Sequence, residues 1–504
     1  MLPHAPEQTS LIGRAQELDR LRDLALRRTG GSGANVLVGG EAGVGKSRLV
    51  SELGTDLVQR GWQVVVGHCL DFGANALPYL AFSEIFERLA QLDPDRISET
   101  MEAHPVIQRL LPGALPRPDS HEVHPDADRM ELFAALRTVL TTMAAEKPLL
   151  VVIEDLHWAD RSTQEAMSFL FAQELSGQVA LIGTYRSDDL YRGHPLRARL
   201  AEWGRIRSIA RMSLQPLDDN EVRTLIKGVS PHLTSEQAIS TIVERAQGNA
   251  FFAEELAAAP GIGHRHLPHD LADLLLIRVD QTLTESARQL VRAASSIGRK
   301  IDHHALEVLV PLDESRLDEA LREAIENHVL ASLEDDTYGF RHALLAEAVY
   351  HDLLPGERLR FHTAYSAALS TGEVAGSAAE LARHSYAARD YATAVRASIQ
   401  AGRQAMSVGG AEEAARHFEL ATELTENPET DADLDVVDLA LLTADALNAS
   451  GHSYRAAAIL DDRLRMPSAL DSMNQARLWI GLAQACLHSE YPRADAQEII
   501  TLDE

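Results

Sequence analysis

The feature that most constrains the fold is a glycine-rich octapeptide at residues 40–47, which reads GEAGVGKS. It fits the pattern G-x-x-x-x-G-K-[ST] at every fixed position. An apolar run at residues 36–38 precedes it, and residues 48–53 after it have helical character. In a strand, loop and helix of this order, backbone N–H groups can surround an anion at the positive end of the helix dipole. The octapeptide therefore predicts a phosphate-binding loop (P-loop) that binds a nucleoside triphosphate.

The side chains of this loop predict a nucleotide with its metal. Lys46 can reach the β- and γ-phosphates, and the Ser47 hydroxyl is placed to bind Mg²⁺. We therefore expect ATP or ADP together with Mg²⁺ as the cofactors. The P-loop residues predicted to contact the nucleotide are Gly40, Gly43, Val44, Gly45, Lys46, Ser47 and Arg48.

Four apolar runs within the first two hundred residues predict buried strands. They lie at residues 36–38, 63–67, 149–153 and 179–186, and helical stretches separate them. Continuous apolar strands that alternate with helices are typical of a parallel sheet covered on both faces. The predicted fold class is therefore an α/β P-loop NTPase domain with a parallel sheet. Ligands of such sheets bind at the carboxyl ends of the strands.

Three charged residues fall at these carboxyl ends. Glu154 and Asp155 end the third run, and Arg186 ends the fourth. Glu154 can hold Mg²⁺ through water, and Asp155 can orient or deprotonate the attacking water. Arg186 can sense the γ-phosphate, although an arginine that ends a strand is often simply exposed. We predict Asp155, Glu154, Lys46 and Arg186 as the catalytic set, with Ser47 and Glu154 as metal ligands.

Composition narrows the possible partners. The 504 residues exceed a single hydrophobic core and predict three or four domains. The formal net charge of −28 argues against direct binding of nucleic acid by this segment, because such binding depends on lysine and arginine. No run approaches the roughly 20 apolar residues of a membrane span, and the amino terminus lacks the features of a signal peptide. We expect a cytoplasmic protein that does not bind membranes.

Five segments together resemble the STAND class of signalling ATPases and, more narrowly, the large ATP-binding regulators of the LuxR family. The segments are LIGR at residues 11–14, the P-loop, EDLHWAD at 154–160, GTYR at 183–186 and GNAFF at 248–252. In that family the Gly-Arg motif helps to close over the adenine, which implies that Ile12, Gly13 and Arg14 lie beside the base. Where the family normally has a proline near the nucleotide, this chain has Ala250.

The chain beyond the nucleotide domain continues the resemblance. We predict a P-loop domain at residues 1–212, a helical lid and linker at 213–270, a winged-helix domain at 271–370 and tetratricopeptide-like helical repeats at 371–504. The winged helix is predicted from a hairpin-like segment among helices, and the resemblance implies that it clamps the nucleotide domain instead of reading DNA. An ordinary helical bundle is the alternative to the repeats. No DNA-binding unit is evident, so we expect a fragment or a truncated member of the family.

One residue of the predicted winged helix extends the predicted site. Phe340-Arg341-His342 resembles the Met-His-Asp signature of related switch ATPases, in which the histidine touches the β-phosphate of ADP and holds the protein closed. The resemblance therefore adds His342 to the nucleotide-binding residues. A histidine at a helix start that bonds only to local backbone is the alternative.

Two classes of function remain open. The favoured one is an ATP/ADP-operated signalling switch of a transcriptional regulator, in which slow hydrolysis controls opening and ATP-dependent self-association. Its other expected partner is an unknown inducer or protein on the helical repeats. The alternative is a continuously turning-over ATPase whose helical repeats dock a substrate or partner. A pure scaffold with a vestigial nucleotide site is a weaker third reading.

Overall fold

The computed structural model describes residues 11–26, 34–70, 77–110, 125–173, 175, 177–258, 271–298, 300–333, 337–425, 435–466 and 471–487. These residues form two compact units. The first lies within residues 1–71, 79–114 and 132–375, and the second lies within residues 72–78, 115–131 and 376–504.

A five-stranded parallel sheet organises the described part of the first unit. Its strands are β1 (Ala34–Gly40), β2 (Gln63–His68), β3 (Leu149–Glu154), β4 (Val179–Arg186) and β5 (Ile209–Ser213). They lie in the order β2-β3-β4-β1-β5. The central strands β3, β4 and β1 are almost wholly buried, as their continuous apolar sequences predict. This confirms the predicted parallel-sheet α/β P-loop domain and adds β5, which the sequence did not predict.

The helix that follows the P-loop fixes the loop against this sheet. It is α2 (Lys46–Gln59), and it buries Leu49, Leu53 and Leu57 at a spacing of four residues. These leucines share a core with the apolar side chains of β1. The other helices of this region are α1 (Ala15–Leu26), α3 (Leu80–Leu92), α4 (Pro94–Ala103), α5 (Pro125–Met143), α6 (Arg161–Ala172) and α7 (Pro195–Trp203), with 3₁₀ segments at Pro105–Leu110 and Leu156–Trp158.

Three helices with their own apolar core follow the sheet, and we call them the lid helices. They are α8 (Asp219–Val229), α9 (Glu236–Ala246) and α10 (Ala250–Ala258). A capping aspartate begins α8: Asp218 accepts from the backbone N–H groups of Asn220 and Glu221. The last part of the predicted lid and linker segment, residues 259–270, lies outside the described residues.

Six helices and a small antiparallel sheet complete the described part of the first unit. The helices are α11 (Leu271–Thr282), α12 (Glu285–Ile297), α13 (His303–Leu309), α14 (Glu314–Glu326), α15 (Ala343–Asp352) and α16 (Pro355–Thr371). The strands are β6 (Ile301–Asp302), β7 (Leu330–Ser332) and β8 (Thr337–Phe340), in the order β6-β8-β7. Leu330 pairs with Phe340, so the two strands form the predicted hairpin-like segment. The residues between these two strands, 334–336, lie outside the described residues.

The second unit is helical in the part that the structure describes. Its helices are α17 (Ala378–Ala387), α18 (Tyr391–Ser407), α19 (Ala411–Thr425), α20 (Val436–Ala449), α21 (Ser453–Arg465) and α22 (Ser472–Leu487). Each packs against the next along the chain, and α20 also contacts α22. Alanines make up much of the shared core. Because their side chains are small, they let the helix axes approach closely. Among the described residues of both units, no helix is both long and apolar enough to cross a membrane.

Candidate nucleotide-binding site

Two glycines give the P-loop its course between β1 and α2. Gly43 and Gly45 have φ angles of 75° and 104°, which side chains other than glycine rarely adopt. A Cβ atom on Gly43 would also lie 2.6 Å from the Asn249 side-chain oxygen. The glycines of the motif are therefore needed both for the turn and for close approach of a lid residue.

The P-loop lysine is held by its own loop. Lys46 is 7% exposed, and its Nζ donates to the carbonyl oxygens of Gly40 at 2.8 Å and Glu41 at 2.7 Å. Since an ammonium has three donors, this arrangement leaves the third for an anion. Burial lowers the pKa of Lys46, while the carboxylates of Asp155 and Asp188 raise it. These two hydrogen bonds thus hold the Lys46 ammonium beside the P-loop before a nucleotide binds.

The two predicted metal ligands lie together. The Ser47 Oγ donates to the Glu154 Oε2 at 3.0 Å, across the gap between α2 and the end of β3. A hydroxyl and a carboxylate are hard oxygen ligands of the kind that Mg²⁺ prefers, so these residues fit that ion. When bound there, Mg²⁺ would neutralise charge on the nucleotide phosphates.

Asp155 occupies a special backbone position just beyond Glu154. Its φ of 59° and ψ of 45° are left-handed, a conformation that aspartate and asparagine tolerate better than most residues. Its N–H donates to the Thr184 Oγ1 on the neighbouring strand at 3.1 Å. The backbone turn therefore redirects the chain at the sheet edge where ligands of parallel sheets bind.

Arg186 is buried in a cluster of charged and aromatic groups. Its Nη1 lies 3.5 Å from the Asp189 Oδ2, and its Nη2 lies 3.3 Å from the Glu347 Oε1. Its Cζ lies 4.7 Å from the centre of the Trp158 ring. The simpler alternative of an exposed strand-end arginine is therefore wrong, because the residue is only 8% exposed.

His157 contacts the backbone of Arg186, and it was not among the site residues predicted from the sequence. The Arg186 backbone N–H donates to its Nδ1 at 3.3 Å, and its Nε2 lies 3.4 Å from the Asp189 Oδ2. Burial, followed by the charges of Arg186 and Lys46, lowers the pKa of His157 to about 3. The ring is consequently neutral at physiological pH, with its hydrogen on Nε2.

Asp188 is a second residue that the sequence did not single out. Both of its carboxylate oxygens lie 3.2 Å from the Ala42 nitrogen, whose N–H they accept. This contact joins the segment after β4 to the P-loop across 146 residues of sequence.

Of the residues predicted beside the adenine, Arg14 has the clearest structural role. It is buried, and its Nη2 donates to the carbonyl oxygens of Val44 at 3.2 Å and Gln215 at 2.5 Å. Ile12 packs against the core of the lid helices. The segment with Ile12, Gly13 and Arg14 therefore joins the P-loop to the lid, and its contact with the base stays a prediction.

The GNAFF segment bonds directly to the P-loop. The Asn249 Nδ2 donates to the Ala42 carbonyl at 2.8 Å, and the Phe251 N–H donates to the Gly43 carbonyl at 3.1 Å. Asn249 also accepts from the Phe252 N–H, which makes it the cap of α10. Ala250 is the first residue of that helix, where proline is well tolerated. The change from proline to alanine thus leaves the contacts with the P-loop in place.

His342 reaches this junction from the start of α15. Its ring packs on the Phe251 ring, with 4.3 Å between centroids and 45° between planes. Its predicted contact with a phosphate stays a prediction. Arg48, predicted from the P-loop motif, acts electrostatically on Glu254 of α10: burial raises the pKa of Glu254, and Arg48 lowers it.

The chain is similar to one family model and to one curated protein. Residues 10–182 match the family model of the AAA ATPase domain. An uncharacterized protein of Rhizobium meliloti (strain 1021) is 26% identical in an alignment of 479 positions, which covers 86% of this chain and 44% of the relative. The chain thus spans less than half the length of that relative.

Two solved structures are similar at low scores. A Walker-type ATPase of Pyrococcus abyssi is 14% identical with a TM-score of 0.34, covering 69% of this chain and 99% of its own. A RuvB variant of Thermotoga maritima is 16% identical with a TM-score of 0.28, covering 65% of this chain and 92% of its own. Scores this low carry no conclusion about activity. The family match and the geometry agree on one point: residues 10–182 form an AAA-type ATPase domain.

Proposed function

We propose that this chain is an ATP/ADP-operated switch of a transcriptional regulator, with slow Mg²⁺-dependent hydrolysis that resets it. The observation that carries the proposal is the set of hydrogen bonds from the lid to the P-loop. Asn249 and Phe251 bond to the carbonyls of Ala42 and Gly43, and His342 packs on Phe251. Elements far along the chain therefore contact the phosphate-binding loop, so that the state of the nucleotide can alter their packing.

Each predicted catalytic residue has a role in this scheme. Lys46 binds phosphate, and Ser47 and Glu154 hold Mg²⁺. Asp155 orients the attacking water, and Arg186 responds to the terminal phosphate. The reaction is a hydrolysis of ATP, in which water attacks the γ-phosphorus and ADP and phosphate leave.

The remaining regions supply the readout of the switch. We propose that residues 271–370 act as a winged-helix clamp, since helices and a three-stranded antiparallel sheet share one core there. We further propose that residues 371–504 are tetratricopeptide-like repeats that receive an inducer or partner protein. The successive helix packing and the contact between α20 and α22 support this, because stacked helix pairs bring alternate helices together. ATP would then favour an open form that self-associates.

A continuously turning-over ATPase is the alternative. The P-loop domain fits both functions. The hydrogen bonds from the lid favour a switch, because they connect the P-loop to helices that lie far along the chain. The test is to identify the nucleotide that co-purifies with the protein and to measure steady-state turnover. The switch predicts retained ADP and turnover far below about 10 s⁻¹, the median for enzymes. An empty site with turnover above that value would favour the alternative.

A further inference from the structure

The Arg186 guanidinium is shared between the nucleotide domain and a distant helix. One nitrogen faces Asp189, three residues away, and the other faces Glu347 on α15, 161 residues away. Trp158 covers one side of the group. Arg186 is 8% exposed, whereas the Glu347 side chain is 39% exposed, so the ion pair joins a buried cation to a carboxylate that is partly open to solvent.

The position of Arg186 relates this ion pair to the P-loop. Arg186 pairs in register with Gly40, the first residue of the P-loop, and the Ser187 N–H donates to the Gly40 carbonyl at 3.2 Å. The positive charge of Arg186 also lowers the pKa of Lys46, which shows that the two cations share one electrostatic field. An anion bound by Lys46 therefore enters the field of Arg186.

Glu347 and such an anion compete for the same guanidinium. A guanidinium donates in a planar fork, and a carboxylate on one edge takes donors that a phosphate would need. Burial raises the pKa of Glu347, and the nearby Arg186 opposes that shift. Moving Arg186 away would thus leave a partly dehydrated carboxylate without its cation, which favours separation of α15 from the nucleotide domain.

We propose that Glu347 sets the nucleotide-state preference of this site, because it holds Arg186 against α15 until a terminal phosphate displaces it. The inference rests on the proposed switch function and names the residue that couples the terminal phosphate to α15. ADP, which lacks that phosphate, leaves the Arg186–Glu347 pair intact. ATP breaks the pair and releases α15.

The test measures the affinities of ADP and of a non-hydrolysable ATP analogue by calorimetry, with Mg²⁺ present. Glu347→Gln keeps the shape of the side chain and removes its charge. It should tighten binding of the analogue relative to ADP by at least threefold. Asp352→Asn is the matched control, since Asp352 lies on the same helix and pairs with Arg292 at 3.5 Å. That control should leave the ratio of affinities unchanged.

Arg186→Ala provides the second arm. If Glu347 acts through Arg186, Glu347→Gln should no longer change the ratio in the Arg186→Ala background. Glu347→Ala must shift the ratio in the same direction as Glu347→Gln, which covers the case of a poorly folded glutamine variant. A wild-type ratio in both Glu347 variants, with nucleotide still bound, would overturn the role of Glu347 and leave the switch standing. Absence of nucleotide binding by the wild-type protein would overturn the proposed function itself.

Discussion

The imidazole of His342 packs on the ring of Phe251, and the backbone N–H of Phe251 bonds to the Gly43 carbonyl in the P-loop. His342 is thus connected through Phe251 to the loop that is expected to surround the phosphates. This indirect link offers two ways for His342 to act, by direct contact with a phosphate or by support of Phe251. The two differ in how they discriminate ADP from ATP.

The first prediction separates these two roles. If His342 contacts the β-phosphate of ADP in the closed form, His342→Ala should weaken ADP more than ATP. Loss of one such hydrogen bond costs about 1–2 kcal/mol, or roughly five- to thirty-fold in the ratio of closed to open protein. Light scattering after size exclusion should then show self-association with ATP alone. His351→Ala, an exposed histidine of the same helix, is the control. Equal weakening of both nucleotides would instead assign His342 to the support of Phe251.

The second prediction concerns hydrolysis. Asp155→Asn should preserve ATP binding and slow turnover at least about tenfold, which corresponds to ~1.4 kcal/mol of barrier. Asparagine tolerates the left-handed backbone at this position and keeps the N–H bond to Thr184, but it cannot accept a proton from water. Single-turnover hydrolysis with calorimetry of binding checks this. If Glu154→Gln alone separated binding from turnover, the roles of the two carboxylates would be exchanged.

The third prediction uses the buried imidazole beside Arg186. His157 has a folded-state pKa of about 3, whereas the unfolded chain has an ordinary value near 6.5. Below about pH 6.5, His157 therefore binds a proton in the unfolded state but not in the folded state, so stability falls as the pH falls. Lowering the pH from about 7 to about 5 should therefore reduce the free energy of unfolding by about 2 kcal/mol through His157 alone.

The measurement for His157 is denaturant unfolding of the wild-type protein and of His157→Gln at both pH values. The variant should lose less stability over this interval, because glutamine does not titrate. The comparison removes contributions from the many carboxylates that both proteins share. Equal losses in the two proteins would mean that His157 becomes protonated in the folded state, contrary to its buried position.

The sequence predicts those parts of the site that depend on local pattern. The P-loop and the strand ends with Glu154 and Arg186 follow from short motifs, because strand, turn and helix signals there span only a few residues. The edge strand β5 was missed because it is only five residues long and includes Arg211 and Ser213, so it lacks the continuous apolar run of the central strands.

The contacts that complete the site come from distant parts of the chain. Asp188 reaches Ala42 across 146 residues, Asn249 reaches it across 207, and Glu347 reaches Arg186 across 161. No local pattern specifies such pairs, since only the packing of the first unit brings them together. The GNAFF segment was recognised by resemblance, but its hydrogen bonds to the P-loop could not be inferred from its residues.

The central claim is that the P-loop binds ATP and ADP, and titration calorimetry of Lys46→Ala tests it most directly. The variant should remain folded and bind both nucleotides at least about tenfold more weakly, because charge-assisted hydrogen bonds to phosphate contribute roughly 1.5–3 kcal/mol each. Lys227→Ala is the matched control, since Lys227 lies on lid helix α8 with a side chain that is 60% exposed. Lys227→Ala should bind both nucleotides with wild-type affinity, whereas Lys46→Ala should bind both more weakly. Wild-type affinity for ATP or ADP in Lys46→Ala would contradict the P-loop as the nucleotide site.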